Sequence, residues 1–218
     1  LNWSHLPALP QAISRHAAGG SHGALLVVGG AQLPTPSAGG APETWLDAVH
    51  VLEAGRDHWL SLKLGRPLAD AASVTADDVM VVMGGGNAQG YSPDVFSLRW
   101  RDGRLQESRL PSLPRAVAHA SAAILGDTIY LAGGQDSPSA GSALRNFWAL
   151  DLSRAGKGWR ELEPWPGPGR ISPVLVAQAG AVYLFSGVEL VAGAGGTVTR
   201  RYLRDAHRFQ PGMGWTAL

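Results

Sequence analysis

The feature that most constrains this chain is a Gly-Gly pair that follows an apolar, strand-like run and recurs along the sequence. It ends the runs Leu25–Val28, Met80–Met83 and Ile129–Ala132, and a degraded copy, Ser186-Gly187, ends Tyr183–Phe185. The second glycines of successive copies are 55, 49 and 53 residues apart. Glycine reaches positive φ at little cost, so a glycine pair lets a crowded strand end turn sharply. The spacing therefore predicts four related units of about 50 residues each.

Each unit contains four short strand-like segments. The first is rich in small residues, the second is the apolar run, the third alternates in character, and the fourth carries Trp in three of the units. Period-two alternation between turn signals is typical of strands, and no 3.6-residue periodicity predicts a helix. The expected first strands are Leu68–Thr75, Ala116–Leu125 and Ile171–Ala179. The expected third strands are Asp47–Leu52, Asp94–Leu98, Asn146–Leu150 and Asp205–Phe209, and the fourth strands lie at Trp59, Leu105, Trp159 and Trp215.

A period near 50 with four strands per unit indicates kelch repeats, hence an all-β fold of the kelch-type β-propeller. We expect residues 1–218 to form a single, partial propeller domain with about four four-stranded blades of an expected six. Segment Trp3–Leu6 reads as a further fourth strand with no unit before it, so we expect a longer chain to continue past Leu218 and close the ring. Segments 31–46 and 188–203 are expected to be long loops.

Composition argues against several classes of function. The net charge is +1 and no concentrated basic face is visible, so we expect no nucleic-acid partner. No apolar stretch reaches the roughly 20 residues of a membrane span. There is no cysteine, which removes disulfides, thiolate metal ligands and the Cys–Tyr cross-link of copper radical oxidases that share the kelch fold. The seven histidines form no pair with zinc-like spacing, so we expect neither a metal nor a cofactor.

The candidate ligand-binding residues are those that the repeats carry to the mouth of the central channel. An arginine opens the first strand of three units: Arg66, Arg115 and Arg170. Arginines that converge on one mouth would bind a carboxylate through paired N–H donors. Polar residues also follow each glycine pair: Gln32, Asn87, Gln135 and Glu189. The alternatives stay open: the arginines tie blade edges together, and the polar residues are solvated loop residues.

Several segments resemble one kelch family, the sialic acid mutarotases, also called N-acetylneuraminate epimerases, in a circularly permuted form. The segments are Trp3–Pro10, Gly23–Ala31, Gly65–Ala69, Phe147–Leu152, Trp159–Leu162 and Tyr202–Ala206. The resemblance covers nearly the whole chain. The stretch from about Leu113 to Leu218 resembles the beginning of the unpermuted enzymes, and Trp3 to about Arg104 resembles their end.

This resemblance implies an isomerase that interconverts the α and β anomers of sialic acid, a small sugar acid, in a periplasmic or otherwise extracytoplasmic location. It also implies a glutamate just after a glycine-pair strand and an arginine downstream, which match Glu189 and Arg204 by repeat position. The equivalent catalytic blade is expected beyond Leu218. The competing hypothesis is a non-enzymatic kelch module that binds a protein or glycan, because the fold alone does not decide function.

Overall fold

The computed structural model describes residues 3, 5–32 and 43–218. The first unit forms β1 (Ala17–Ser21), β2 (Ala24–Val28), β3 (Ala31–Gln32), β4 (Thr44–Trp45), β5 (Ala48–Glu53) and β6 (Leu60–Lys63). The second forms β7 (Ala72–Ala76), β8 (Val79–Met83), β9 (Gly86–Asn87), β10 (Gly90–Tyr91), β11 (Val95–Arg101) and β12 (Arg104–Leu110).

The third unit forms β13 (Ser121–Leu125), β14 (Thr128–Ala132), β15 (Phe147–Asp151) and β16 (Arg160–Glu161), with a 3₁₀ segment at Leu152–Lys157. The fourth forms β17 (Val174–Gln178), β18 (Ala181–Phe185), β19 (Val188–Ala192), β20 (Val198–Tyr202), β21 (Ala206–Gln210) and β22 (Gly214–Ala217), with a 3₁₀ segment at Ala194–Gly196. In the described part of the chain these two short segments are the only helical structure.

Each unit builds one four-stranded antiparallel blade. The strand orders are β1-β2-β5-β6, β7-β8-β11-β12, β13-β14-β15-β16 and β17-β18-β21-β22. The innermost strands β1, β7, β13 and β17 contact one another in that order, as expected for blades arranged about one axis. The small ladders β3-β4, β9-β10 and β19-β20 extend from the same end of their blades, after the glycine pairs. The predicted all-β propeller with four blades is confirmed.

The hydrophobic core lies between the blades rather than within one central mass. One cluster joins blades 1 and 2 around Leu26, Met80 and Leu98. A second joins blades 2 and 3 around Ile129 and Trp148, and a third joins blades 3 and 4. Burial of these flat apolar faces is the main force that holds successive blades together.

The glycine pairs have a specific role between blades. Gly30, Gly85 and Gly134 donate their backbone N–H groups to the carbonyls of Leu68, Val117 and Arg170 in the next unit, at 2.7–2.8 Å. The first glycine of each pair lies against that same carbonyl: a Cβ on Gly29 or Gly84 would stand 2.0 or 2.3 Å from it. At Gly29 and Gly84 only glycine fits, because a Cβ would overlap that carbonyl oxygen, and the positive φ would add a backbone cost for any other residue.

Two expectations about strands need correction. The first strands begin later than predicted because Asp70, His119 and Ser172 have positive φ, which breaks the extended conformation before β7, β13 and β17. Segment 188–203 is not a loop but the β19–β20 hairpin. Trp3, His5 and Leu6 lie in no strand, and Ser4 lies outside the described residues; a sheet for this segment stays a prediction for residues beyond Leu218.

Segment 31–46 holds β3 and β4 in its described part, and residues 33–42 lie outside it. No helix among the described residues is long and apolar enough to cross a membrane.

Candidate functional site

Four residues stand at the same place in the four units, where the chain turns into the innermost strand. These corner residues are Arg15, Asp70, His119 and Ser172, and all have left-handed backbone, with φ of 58°, 59°, 57° and 49°. Such a conformation costs about 1 kcal/mol or more for a residue with a side chain, and it accumulates at ligand-binding sites. Four equivalent non-glycine residues in this conformation therefore mark the place as a candidate site.

A chain of backbone hydrogen bonds connects the corner residues around the axis. Asp70 N–H donates to Arg15 O at 2.9 Å, His119 N–H to Asp70 O at 3.0 Å, and Ser172 N–H to His119 O at 2.7 Å. Their positions are thus fixed by the main chain of neighbouring blades, which leaves the side chains available for other contacts.

The corner residues open into a cavity of about 710 Å³, here called the mouth cavity. This volume is within the range of small-molecule sites. Its walls come from blades 1 to 4 and consist of Arg15, Asp70, Tyr91, His119, Gln135, Pro138, Ser139, Ala140, Ile171, Ser172, Leu190, Val198 and Arg200.

Asp70 is the centre of a charge network at the bottom of this cavity. Its side chain is only 5% exposed; Oδ2 accepts a hydrogen bond from Arg15 Nη1 at 3.0 Å, and Oδ1 lies 3.2 Å from His119 Nδ1. Arg15 also pairs with Glu43. The contact with Asp70 favours the tautomer of His119 that carries its proton on Nδ1, which leaves Nε2 as a proton acceptor. An aspartate-oriented histidine of this kind can take up and return a proton.

Tyr91 supplies a phenol beside this pair. Its ring meets the His119 ring edge-to-face, with centroids 5.9 Å apart. Burial raises the pKa of Tyr91 above its usual value, the Asp70 carboxylate raises it further, and Arg15 partly opposes both. Tyr91 therefore stays protonated at neutral pH and can donate a hydrogen bond into the cavity.

The β19–β20 hairpin forms one wall. Its strands pair Leu190 with Arg200 and Glu189 with Arg201. Because side chains alternate across a strand pair, these two pairs point to opposite faces. Leu190, Val198 and Arg200 line the mouth cavity, whereas Glu189 forms an ion pair with Arg201.

The three predicted arginines are not brought together. Arg66 forms a two-point ion pair with Glu107, at 3.2 and 2.7 Å, and covers the Phe96 ring. Arg115 lies 3.9 Å from Asp136. Arg170 is fully buried against Asp205. None of the three lines the mouth cavity. Each arginine instead lies beside a carboxylate of the unit that it opens: Glu107, Asp136 or Asp205.

Of the other predicted residues, only Gln135 lines the mouth cavity. Gln135 is buried in the wall of the mouth cavity, where its Nε2 donates to Ala140 O at 3.2 Å. Asn87 accepts from Gln89 N–H at 2.9 Å, outside the mouth cavity. Gln32 donates to Gln11. Glu189 is engaged by Arg201, and Arg204 is exposed just beyond the hairpin, so neither lines the cavity.

Sequence reasoning missed Arg15, Asp70, His119 and Tyr91. A signal was present for the corner residues: they are 55, 49 and 53 residues apart, and each precedes the second glycine of its unit by 15 residues. Alignment of the four units on their glycines would have shown a polar or charged residue at that position in every unit. Within the described residues, no group of three or more His, Asp or Glu side chains is arranged to hold a metal ion.

Comparison with known proteins points to one family. A family model described as N-acetylneuraminate epimerase matches residues 110–218. The N-acetylneuraminate epimerase of Pasteurella multocida (strain Pm70) is 29% identical over 114 residues, which are 52% of this chain and 27% of that protein. The one from Haemophilus influenzae (strain PittEE) is 31% identical over 101 residues, 46% of this chain and 24% of that protein. The chain thus spans about a quarter of the length of these relatives.

A solved structure described as "Structure of YjhT" resembles the whole fold. Its TM-score is 0.81 at 16% identity, and the match covers 99% of this chain and 73% of that chain. At this identity the likeness concerns the fold alone, and it agrees with a kelch-type propeller.

Proposed function

Since the chain belongs to the N-acetylneuraminate epimerase family, we propose that its mouth cavity binds a sialic acid and interconverts the α and β anomers of that sugar. The observation that carries the proposal is the 3.2 Å contact between His119 Nδ1 and Asp70 Oδ1, two residues that line a cavity of sugar size. The relatives are named N-acetylneuraminate epimerases, which supports an N-acetylneuraminate-type sugar as the ligand.

Anomer exchange is a proton-transfer isomerisation. A base removes the proton from the anomeric hydroxyl, the bond between the anomeric carbon and the ring oxygen breaks, and the ring oxygen takes up a proton. In the open chain, rotation about the bond between the ketone carbon and the next ring carbon presents the other face of the ketone. The ring then closes by the reverse steps and gives the other anomer. No electron is gained or lost. General acid–base catalysis of such steps contributes about 10²- to 10⁴-fold.

In this proposal His119 Nε2 is the base that removes the hydroxyl proton. Asp70 holds the ring of His119 in orientation and stabilises the imidazolium that forms. Tyr91, a protonated phenol next to His119, gives its proton to the ring oxygen as the ring opens and takes it back as the ring closes, while His119 returns its own proton to the new anomeric hydroxyl. The amide of Gln135 and the hydroxyl of Ser172 are suited to the other hydroxyl groups of the sugar.

The competing assignment gives proton transfer to Glu189 with Arg204, the residues that match the family by repeat position. Glu189 is already bound to Arg201, and neither Glu189 nor Arg204 lines the mouth cavity. This favours His119 and Asp70 as the reacting pair of the present chain.

The test is anomer exchange of N-acetylneuraminate, followed by NMR with and without the protein. His119→Asn retains a residue that tolerates left-handed backbone and removes the base. We expect a loss of acceleration of about 10²-fold or more. Glu189→Gln is the matched control and should exchange anomers at the wild-type rate.

The opposite pattern would assign the reaction to Glu189. An exchange rate equal to that without protein, together with measurable sugar binding, would favour the non-enzymatic binding module instead.

A further inference from the structure

We propose that Arg200, on the β19–β20 hairpin, is the residue that recognises the carboxylate of the ligand and so restricts the mouth cavity to acidic sugars. The inference rests on the proposed function for the identity of the sugar. The uncompensated positive charge of Arg200 at the cavity does not depend on that function.

First, the two arginines of the cavity wall differ in whether a carboxylate neutralises them. Two arginines are among the residues that line the mouth cavity, Arg15 and Arg200. Arg15 is neutralised twice, by Asp70 at 3.0 Å and by Glu43. Across residues 3, 5–32 and 43–218, Arg200 has no carboxylate within ion-pair distance. The positive charge available to an anionic ligand in this cavity is therefore that of Arg200, on the β19–β20 hairpin.

The second step is the alternation of the hairpin. Arg200 and Arg201 are adjacent in sequence and point to opposite faces. Arg201 is held by Glu189, and Arg200 lines the cavity beside Leu190, which is 8% exposed. Glu189 thus binds the neighbouring arginine and leaves Arg200 without competition from its own hairpin.

The third step is the position of the hairpin. Ala192 lies close enough to the blade 3 loop that a Cβ on Gly141 would be 3.7 Å from its Cβ. The same loop contributes Pro138, Ser139 and Ala140 to the cavity. The hairpin and this loop are therefore neighbouring walls, and Arg200 faces the cavity from a supported element.

The chemistry of a sialic acid makes this arrangement useful. Its carboxylate is attached to the anomeric carbon, so one residue must hold the carboxylate while another reaches the hydroxyl on that carbon. Arg200 and His119 enter the cavity from different blades and divide these two tasks. A guanidinium binds a carboxylate through two parallel N–H donors, which fixes orientation as well as charge.

The experiment compares binding of N-acetylneuraminate with binding of its methyl ester, which is the same sugar without the negative charge. Calorimetry or ligand-observed NMR measures both affinities for the wild type, Arg200→Gln and Arg201→Gln. We expect the wild type to prefer the acid, and Arg200→Gln to bind the acid about 10- to 100-fold more weakly, as for loss of a charge-assisted hydrogen bond. Affinity for the ester should be unchanged.

Arg201→Gln is the matched control, because it removes the same charge from the next position. It should keep the preference for the acid. Arg200→Lys should recover part of the preference, since it restores the charge without the two-point geometry.

Two results would overturn the inference: Arg200→Gln retaining the wild-type preference, or the wild type showing none. Failure of the proposed function gives a different result. A protein that prefers the acid through Arg200 but does not accelerate anomer exchange would support carboxylate recognition by Arg200 and contradict the proposed mutarotase activity.

Discussion

Asp205 binds both terminal nitrogens of the fully buried Arg170, with Oδ1 2.8 Å from Nη1 and Oδ2 2.7 Å from Nη2. Arg170 also donates to Ser186 O at 2.8 Å and lies over the Trp165 ring. His207 Nε2 lies 2.8 Å from Asp205 Oδ2. The Arg170 hydrogen bonds lower the pKa of Asp205 from 3.8 to about 2; burial opposes this shift and His207 adds to it. The pair thus fixes the entry into blade 4 to its third strand.

Replacement of Asp205 by Asn should destabilise the protein by about 3 kcal/mol, because it leaves the buried guanidinium of Arg170 without its counter-charge. This is the low end for a broken buried pair, since the Asp205 side chain is 35% exposed. Urea unfolding at pH 7 measures the change. Asp102→Asn, at an exposed turn with positive φ, is the control and should have little effect.

The same pair predicts how stability depends on pH. The pKa of Asp205 is lowered on folding, so its stabilising contribution is complete above pH 3.8 and is lost as the pH falls toward about 2. The difference in unfolding free energy between the wild type and Asp205→Asn should therefore shrink across that window. Urea titrations at successive pH values give the difference directly. A difference that stays constant from pH 5 to pH 2 would contradict the role given to Asp205.

Gly84→Ala should destabilise the protein far more than Gly23→Ala. Both glycines have positive φ, 63° and 76°, so both substitutions carry a similar backbone cost. A Cβ at Gly84 would stand 2.3 Å from Val117 O in the next blade, whereas a Cβ at Gly23 meets nothing within 4 Å. The excess should be about 1–3 kcal/mol, as for overpacking. Thermal or urea unfolding of the two variants side by side measures it, and equal losses would contradict the close approach.

Trp159→Phe should cost about 1 kcal/mol beyond lost packing, because the indole N–H donates to Pro111 O at 2.8 Å in the segment that enters the same blade. Trp59 and Trp215 make the equivalent bonds to Pro7 O and Glu163 O, both at 2.9 Å. Trp3→Phe is the control, since Trp3 is 92% exposed. Unfolding free energies should fall for the first variant and stay level for the control.

The blades could be predicted from the sequence because their signals are local. A glycine pair after an apolar run predicts a strand end, and a Trp predicts an outer strand, each within a few residues of the pattern itself. The third strands accordingly begin one residue after their predicted starts, at Ala48, Val95, Phe147 and Ala206.

The site was less accessible for a physical reason. The partners of Arg66 and Arg170 are Glu107 and Asp205, 41 and 35 residues away in the chain, and no local pattern reveals such pairs. Asp70 and His119 belong to different blades, and only the packing of the blades brings their side chains to 3.2 Å from each other. The constant offset of 15 residues between each corner residue and the second glycine of its unit was visible. Its meaning required the left-handed conformation that moves these residues out of the strand.

The chain of backbone bonds between the corner residues has an evolutionary consequence. Because amides and carbonyls hold these four positions, a gene can exchange a corner side chain without changing the main-chain contacts between the blades. Point substitution at a corner is therefore a short route to a new ligand preference in this architecture, with no loop to be rebuilt.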